Sequence, residues 1–400
     1  MTDANIWQRF LAFSPGDVSQ VRVFFAPGRV NLIGEHTDYN GGYVLPAALT
    51  VGTWAFVRLR EDGVYRFAST AFPQVVTVQK GDLNYKLEDD YANYPKGVVW
   101  AMEKAGVSIP GADILYHGNL PNGAGLSSSA SIEVVTAFAI NELSGAGLSV
   151  ERLTLLSQEA ENQFVGVNCG IMDQFSVGMG RADHALLLQC ATLHYRLVPV
   201  QAPGYKLVIT NTNKRRVLSD SKYNERRQEC EAALAQMQRA NPSLTCLADV
   251  SVEDWERLSA VIDDERLRKR AHHVVFENAR TQRAATLLEQ GNLRAFGELM
   301  NESHRSLRDD YEVTGPELDA LVEAAWTVEG CIGSRMTGAG FGGCTVSFVE
   351  APQLPVFEQV VAERYIEQTG WAPSFYVSDI GDGVREVTSD ELAQLAKSIL

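Results

Sequence analysis

The sequence predicts an α+β fold. Strand-like segments gather early in the chain, helical periods dominate later, and the two do not alternate as regular β–α–β units. With 45% hydrophobic and 21% charged residues over 400 positions, the composition supports a large apolar core. That length suggests roughly two or three domains. Pro199, Pro203 and Gly204 place a boundary near residue 200, dividing the chain into 1–200 and 201–400.

The elements follow in order. Residues 5–13 read as a short amphipathic helix carrying Ile6, Phe10 and Phe13, ended by Ser14-Pro15-Gly16. Residues Val21 to Ala26 read as a strand, which Pro27-Gly28 is expected to break. Further strands are expected at 53–59, 75–79 and 113–116, with a helix at 94–105 closed by Gly106. Ser127, Ser128 or Ser129 can cap a helix whose buried face is Ile132, Val135, Ala139, Ile140 and Leu143. Ser149 caps a second helix, 150–165. Strands at 184–189 and 206–210 come next, then helical periods at 225–239, 274–289, 293–301 and from Pro316 to Ala325. Strands at 344–349 and 373–380 and a terminal helix at 390–400 complete the reading.

Composition narrows the function. A net charge of −15 argues against a nucleic-acid surface, which needs a basic stripe. The six cysteines include no C-x-x-C pair, so zinc and dithiol chemistry are not expected, and free thiols fit a reducing cytoplasm. The N-terminal residues lack the pattern of a secretory signal, and no apolar run reaches membrane-spanning length, so no membrane partner is expected.

Four stretches carry chemistry. In Leu120–Leu143, Gly123 and Gly125 lead through three serines into a helix, presenting free N–H groups and a positive dipole end to an anion such as phosphate. No Lys lies between Lys104 and Ala191, so this is not a Walker A loop. A surface loop before a capped helix stays open on these residues alone. Gly28–Pro46 crowds Arg29, Asn31, Glu35, His36, Asp38 and Asn40 around a few apolar residues, which suits a ligand covered in hydroxyls; the alternative is a solvated hairpin. Glu161 near a helix C-terminus asks for a cation, and Asp173 stands among Ile171, Met172, Phe175 and Val177, either paired or as a helix N-cap or turn residue. Asn211–Arg227 is locally basic and carries Tyr223, a phenol able to stack on a sugar. Gly338, Gly340 and Gly343 match G-x-G-x-x-G, but a strand follows where a dinucleotide site needs a helix. A nicotinamide dehydrogenase would rest on that match alone.

Gly28–Pro46 closely resembles the galactokinase signature. Asn122–Ser131 looks like the ATP-phosphate motif of the GHMP kinase superfamily, and Gly333–Cys344 like its third, glycine-rich motif. With NCGIMDQ at 168–174 and KYNERR at 222–227, these occur in family order between about residues 25 and 350. The resemblance implies a two-domain GHMP kinase fold. Its N-terminal, sugar- and ATP-binding part would resemble ribosomal protein S5 domain 2, its C-terminal part would be ferredoxin-like, and the active site would lie between them. It implies ATP-dependent phosphorylation of D-galactose at the C1 hydroxyl by a cytoplasmic monomer. Asp173 would take the anomeric proton with Arg29 beside it. Glu35, His36, Thr37, Asp38 and Tyr223 would bind the sugar. Gly123, Ala124, Gly125, Leu126, Ser127, Ser128 and Ser129 would wrap the triphosphate, with Ser129 and Glu161 serving Mg²⁺. An N-acetylgalactosamine or other sugar kinase, and a non-catalytic sugar sensor, are the alternatives within the same resemblance.

Overall fold

The structure is a computed structural model that describes residues 6–120, 125–214, 219–388 and 391–392. Its strands are β1 (Val21–Asn31), β2 (Tyr43–Val44), β3 (Pro46–Leu59), β4 (Val64–Ser69), β5 (Val76–Gln79), β6 (Ala112–Gly118), β7 (His184–Gln189), β8 (His194–Pro199), β9 (Tyr205–Asn211), β10 (Cys331–Thr337), β11 (Cys344–Glu350), β12 (Ser374–Ser378) and β13 (Arg385–Glu386). The helices are α1 (Ile6–Phe13), α2 (Asn93–Lys104), α3 (Ser128–Ser144), α4 (Val150–Glu159), α5 (Met172–Met179), α6 (Ser219–Ala240), α7 (Trp255–Ser259), α8 (Glu265–Glu289), α9 (Leu293–Asp309), α10 (Pro316–Trp326) and α11 (Leu354–Thr369).

The strands form three sheets. A six-stranded sheet runs β13-β1-β3-β6-β4-β5, in which β4 and β6 are parallel and the other pairs antiparallel. A four-stranded antiparallel sheet runs β10-β11-β9-β12, and a three-stranded one β2-β7-β8. Alternation along β1 builds a layer on each face of the large sheet. Phe24 and Ala26 join the core beneath α2, α3 and α4, while Val23 and Phe25 join a second core with Ile6 and Phe10 of α1. A third core links β1 and β3 residues such as Val30 and Leu49 to Ile209, Phe296 and Val346, so both halves of the chain share apolar contact. Tail residues close the arrangement. β13 pairs with β1, and Ile380 bridges Leu49.

Most expected elements are present, with differences that have physical causes. Pro27-Gly28 does not end the strand; β1 continues to Asn31 through a register shift between Pro27 and Arg29, the kind of bulge at which proline is tolerated. Helix α3 is buried nearly all round instead of on one face. Glu133, Thr136 and Asn141 are buried as well as Val134, Val135 and Ile140, because the helix lies between the large sheet and α2, α4 and α5. The expected helix 150–165 is α only to Glu159 and then becomes a π turn, Ala160–Val165. The segment after the third glycine motif is a strand, β11, paired with β10 as a hairpin. Strands β4, β8, β10 and β13 and helices α5, α7 and α11 were not expected. β10 lacks an apolar alternation because its buried side chains include Ser334, Arg335 and Thr337, which serve polar partners. The terminal helix falls almost wholly outside the described residues.

Helix α9 meets β10 backbone against backbone. A Cβ on Gly297 would collide with the Ile332 carbonyl and Gly333. Since β10 carries Arg335 and leads into Gly338, this contact fixes the height of one wall of the site described below. Gly297→Ala is expected to destabilise the protein by about 1–3 kcal/mol through overpacking, measured by urea unfolding.

Candidate active site

Segments distant in sequence meet around a cavity of about 350 Å³. Arg29 reaches it from β1 just past the bulge, and Glu35, His36 and Asp38 from the turn joining β1 to β2. Glu161 comes from the π turn, Asp173 from the first turn of α5, Tyr223 and Asn224 from α6, and Gly338 and Ala339 from the β10–β11 loop. Interruptions of a helix by a π turn are frequent at functional sites because they re-aim a side chain. Here the turn directs Glu161 inward.

The β1–β2 turn is held by its own polar groups. His36 has φ 62° and Gly41 φ 74°, a left-handed conformation natural to glycine and uncommon for histidine. The Asn40 amide donates to the His36 carbonyl at 2.9 Å. The Thr37 hydroxyl lies against the Gly34 and Tyr43 carbonyls at 2.8 and 2.7 Å, and Thr37 is fully buried. Thr37 thus shapes the turn and does not line the cavity.

Each carboxylate has its own restraint. Arg29 donates to Asp173 Oδ1 through Nε at 2.8 Å and Nη2 at 2.7 Å, and its Nη1 donates to the Gly125 carbonyl at 2.7 Å. The Ser127 hydroxyl donates to Asp173 Oδ2 at 2.7 Å. Glu35 Oε1 accepts from the Gly338 N–H at 2.7 Å and lies 3.4 Å from Arg335 Nη1. The amide of Gln174 spans two acids, Glu161 at 2.6 Å and the fully buried Glu133 at 3.0 Å. Asp38 lies so close to Gly170 that a Cβ there would collide with its carboxylate.

Burial and mutual repulsion shift these groups. Asp38 is pushed up to about 6, chiefly by burial and then by Asp173 and Glu35. Glu161 is also raised to about 6, by burial and by Asp173, against hydrogen bonds from Cys169, Ser129 and Gln174. Glu133 is pushed well above the usual carboxylate range by burial and by Glu161. His36 falls to about 3, mainly from burial and then from His273, so the ring is neutral at physiological pH.

The third glycine motif packs against the serine loop. Gly338, at φ 86°, would bring a Cβ to 3.4 Å from the Gly125 carbonyl. Among the described residues no group of three or more His, Cys, Asp or Glu side chains could hold a metal ion unaided. A site that shares its ion with phosphate oxygens needs only one or two protein oxygens. The oxygens that could supply that donor set are those of Glu161 in the cavity wall and of Ser129, half-buried at the start of α3.

Comparison with known proteins bears on this arrangement. Residues 8–59 match the Galactokinase galactose-binding signature, residues 93–181 the GHMP kinases N terminal domain, and residues 284–366 the GHMP kinases C terminal family. The galactokinase of Halalkalibacterium halodurans is 53% identical over 94% of this chain and 95% of its own length. That of Bacillus subtilis is 50% identical over 94% and 97%. The crystal structure of Lactococcus lactis galactokinase complexed with galactose has a TM-score of 0.92 at 44% identity, covering 96% of this chain and 99% of that one. The chain belongs to the galactokinase family. It is an enzyme of that family, built from the GHMP kinase N- and C-terminal domains. Mevalonate kinase from Methanococcus jannaschii, at 16% identity, shares the fold, with a TM-score of 0.63 over 92% of this chain and all of its own.

The cavity gathers Arg29, Glu35, His36, Asp38, Glu161, Asp173 and Tyr223 of the residues expected from the sequence. Gly123 and Ala124 lie outside the described residues. Leu126 is buried in the core that joins the two halves, Ser128 is exposed, and Ser129 is half-buried at the start of α3. Ser127 was expected on phosphate, but its hydroxyl is directed at Asp173. Sequence reasoning missed Arg335, Gln174, Glu133 and Tyr39. A cue existed for Gln174, which directly follows Asp173, and for Arg335, a lone cation beside the third glycine motif.

The raised Asp38 has a stability consequence. Its folded value of about 6 exceeds the ordinary 3.8, so its protonated form favours folding. That contribution is complete below about pH 4 and is lost as pH rises through about 6. Asp38→Asn is therefore expected to stabilise the ligand-free protein at pH 7 by about 1–3 kcal/mol. Thermal melts between pH 4 and 8 check this: the advantage should fade on going to pH 4.

Proposed function

We propose that this enzyme transfers the γ-phosphoryl group of ATP to the anomeric (C1) hydroxyl of D-galactose, giving galactose 1-phosphate and ADP. Asp173 receives the hydroxyl's proton as the oxygen attacks phosphorus. The observation that carries this reading is the Arg29–Asp173 pair in the cavity wall, beside Glu35, His36 and Asp38 and next to the start of α3. Oδ1 is held by Arg29, while Oδ2 accepts one hydrogen bond from Ser127 and keeps a second lone pair for an incoming hydroxyl. Arg29 also offsets charge on the transferring group, as phosphoryl transfer requires.

In this reading Glu35, His36, Asp38 and Tyr223 bind the sugar. The segment Gly123–Ser129 carries the triphosphate on main-chain N–H groups at the helix start. Ser129 and Glu161 would hold Mg²⁺, which when bound neutralises phosphate charge. We also infer a division near residue 200. The N-terminal part supplies Arg29, Glu35, Glu161 and Asp173, and the C-terminal part supplies Tyr223, Arg335 and Gly338. Membership of the galactokinase family supports the substrate, and the carboxylate-rich cavity supports the roles.

ADP release measured across galactose, N-acetylgalactosamine, glucose and arabinose tests the substrate; a sugar preferred over galactose overturns it. Asp173→Ala is expected to lower kcat by about 10²–10⁴-fold while ATP still binds. A fall of less than about tenfold would remove Asp173 from the role of base. Ser129→Ala should raise the KM for Mg-ATP more than that for galactose, and equal changes would show that the loop has been misassigned.

A further inference from the structure

A hydrogen-bonded chain runs from the sugar pocket into the protein behind it. His36 Nδ1 lies 2.8 Å from the Tyr39 hydroxyl, that hydroxyl 2.7 Å from the Tyr311 hydroxyl, and Tyr311 3.1 Å from Cys230 Sγ. Tyr311 and Cys230 are fully buried. The rings pack together as well, tilted by 41° and 42°: His36 lies 4.8 Å from Tyr311 and 5.7 Å from Tyr223, centroid to centroid. Nothing in the phosphoryl-transfer chemistry above uses Tyr39, Tyr311 or Cys230.

A hydroxyl donates one proton, so the chain has two possible senses. In one, Tyr39 donates to Nδ1, Tyr311 donates to Tyr39, and the Cys230 thiol donates to Tyr311. Every proton then has an acceptor, and neutral His36 carries its own proton on Nε2. In the other, Nδ1–H donates outward along the chain, Nε2 becomes an acceptor, and the Cys230 proton must find a further partner.

The pocket favours the first sense. Its side chains Glu35, Asp38, Glu161 and Asp173 are acceptors when ionised, so sugar hydroxyls spend their protons on them. The hydroxyl oxygens then need donors. An Nε2–H supplies one, whereas a bare Nε2 would compete for the same protons. Nε2 is buried and unpartnered within the protein, on a residue that lines the cavity, so its proton is left for a ligand.

We propose that the Tyr39–Tyr311–Cys230 chain fixes His36 as the Nε2–H tautomer, making Tyr39 and Tyr311 positioning residues that set hydrogen-bond polarity toward the sugar. This rests on the reading of the cavity as the sugar site.

The test uses the full chain labelled with ¹⁵N-histidine, the His36 ring being assigned by its loss in His36→Gln. The ring should show protonated Nε2 and bare Nδ1 in the free protein. In Tyr39→Phe the tautomers should mix, and the galactose KM should rise by about threefold to tenfold, the worth of one hydrogen bond. The KM for ATP should stay within about twofold, since the nucleotide would make no contact with this chain. Tyr311→Phe should shift the same signals less, and it stands in if Tyr39→Phe does not fold. A protonated Nδ1 in the wild type overturns the proposal, as does a variant with unchanged tautomer and galactose KM. Equal rises in both KM values would mean general damage to the site and also overturn it. The tautomer is read without substrate, so failure to turn over galactose would overturn the proposed function and leave this result distinguishable.

Discussion

Four carboxylates, Glu35, Asp38, Glu161 and Asp173, face one cavity of about 350 Å³, and the surrounding structure is arranged to hold them there. Like charges brought together away from water repel, and each also loses hydration. The chain answers with a separate device for three of the acids. Asp173 has a guanidinium on one oxygen and a hydroxyl on the other. Glu35 has a main-chain N–H and the buried Arg335. Glu161 has the Gln174 amide, while Asp38 carries the cost of burial, which raises it to about 6.

These devices come from different parts of the chain, so the site depends on the fold being closed. Arg335 reaches the Asn31 carbonyl at 2.8 Å, and the Asn31 N–H donates to the Thr337 hydroxyl at 3.2 Å. First and third motifs, about three hundred residues apart, are thereby locked together beside the core shared by both halves. Small residues allow the approach where backbones must touch, as at Gly297 against Gly333. The apolar core supplies the driving force for closure, and the polar contacts fix its register.

The same crowding ties stability to function. A cavity that keeps desolvated acids together is less stable empty than it would be with neutral side chains. Ligands that donate to those acids relieve the cost, which is a source of binding energy. His36 is the complement: burial keeps it neutral, and so it can add a donor without adding charge.

The amino-acid sequence by itself determined the kinds of chemistry and most of the elements. Glycine before serine and then an apolar helix, polar groups crowded between strands, and a lone acid in an apolar run are local signals, because each follows from the cost of leaving backbone or charge unpaired. They were enough to name Arg29, Glu35, His36, Asp38, Glu161, Asp173 and Tyr223, all of which line one cavity. Tertiary structure alone decided who partners whom. That Ser127 turns to Asp173, that Arg335 holds Glu35, and that Tyr311 stands behind His36 are contacts between residues 46, 300 and 275 positions apart, or bridged by a third side chain. Tertiary structure also carried β1 through Pro27-Gly28 and buried most of α3, because pairing with β3 and enclosure by neighbouring helices outweigh local preference. Local rules state what a residue needs; long-range packing states what meets that need.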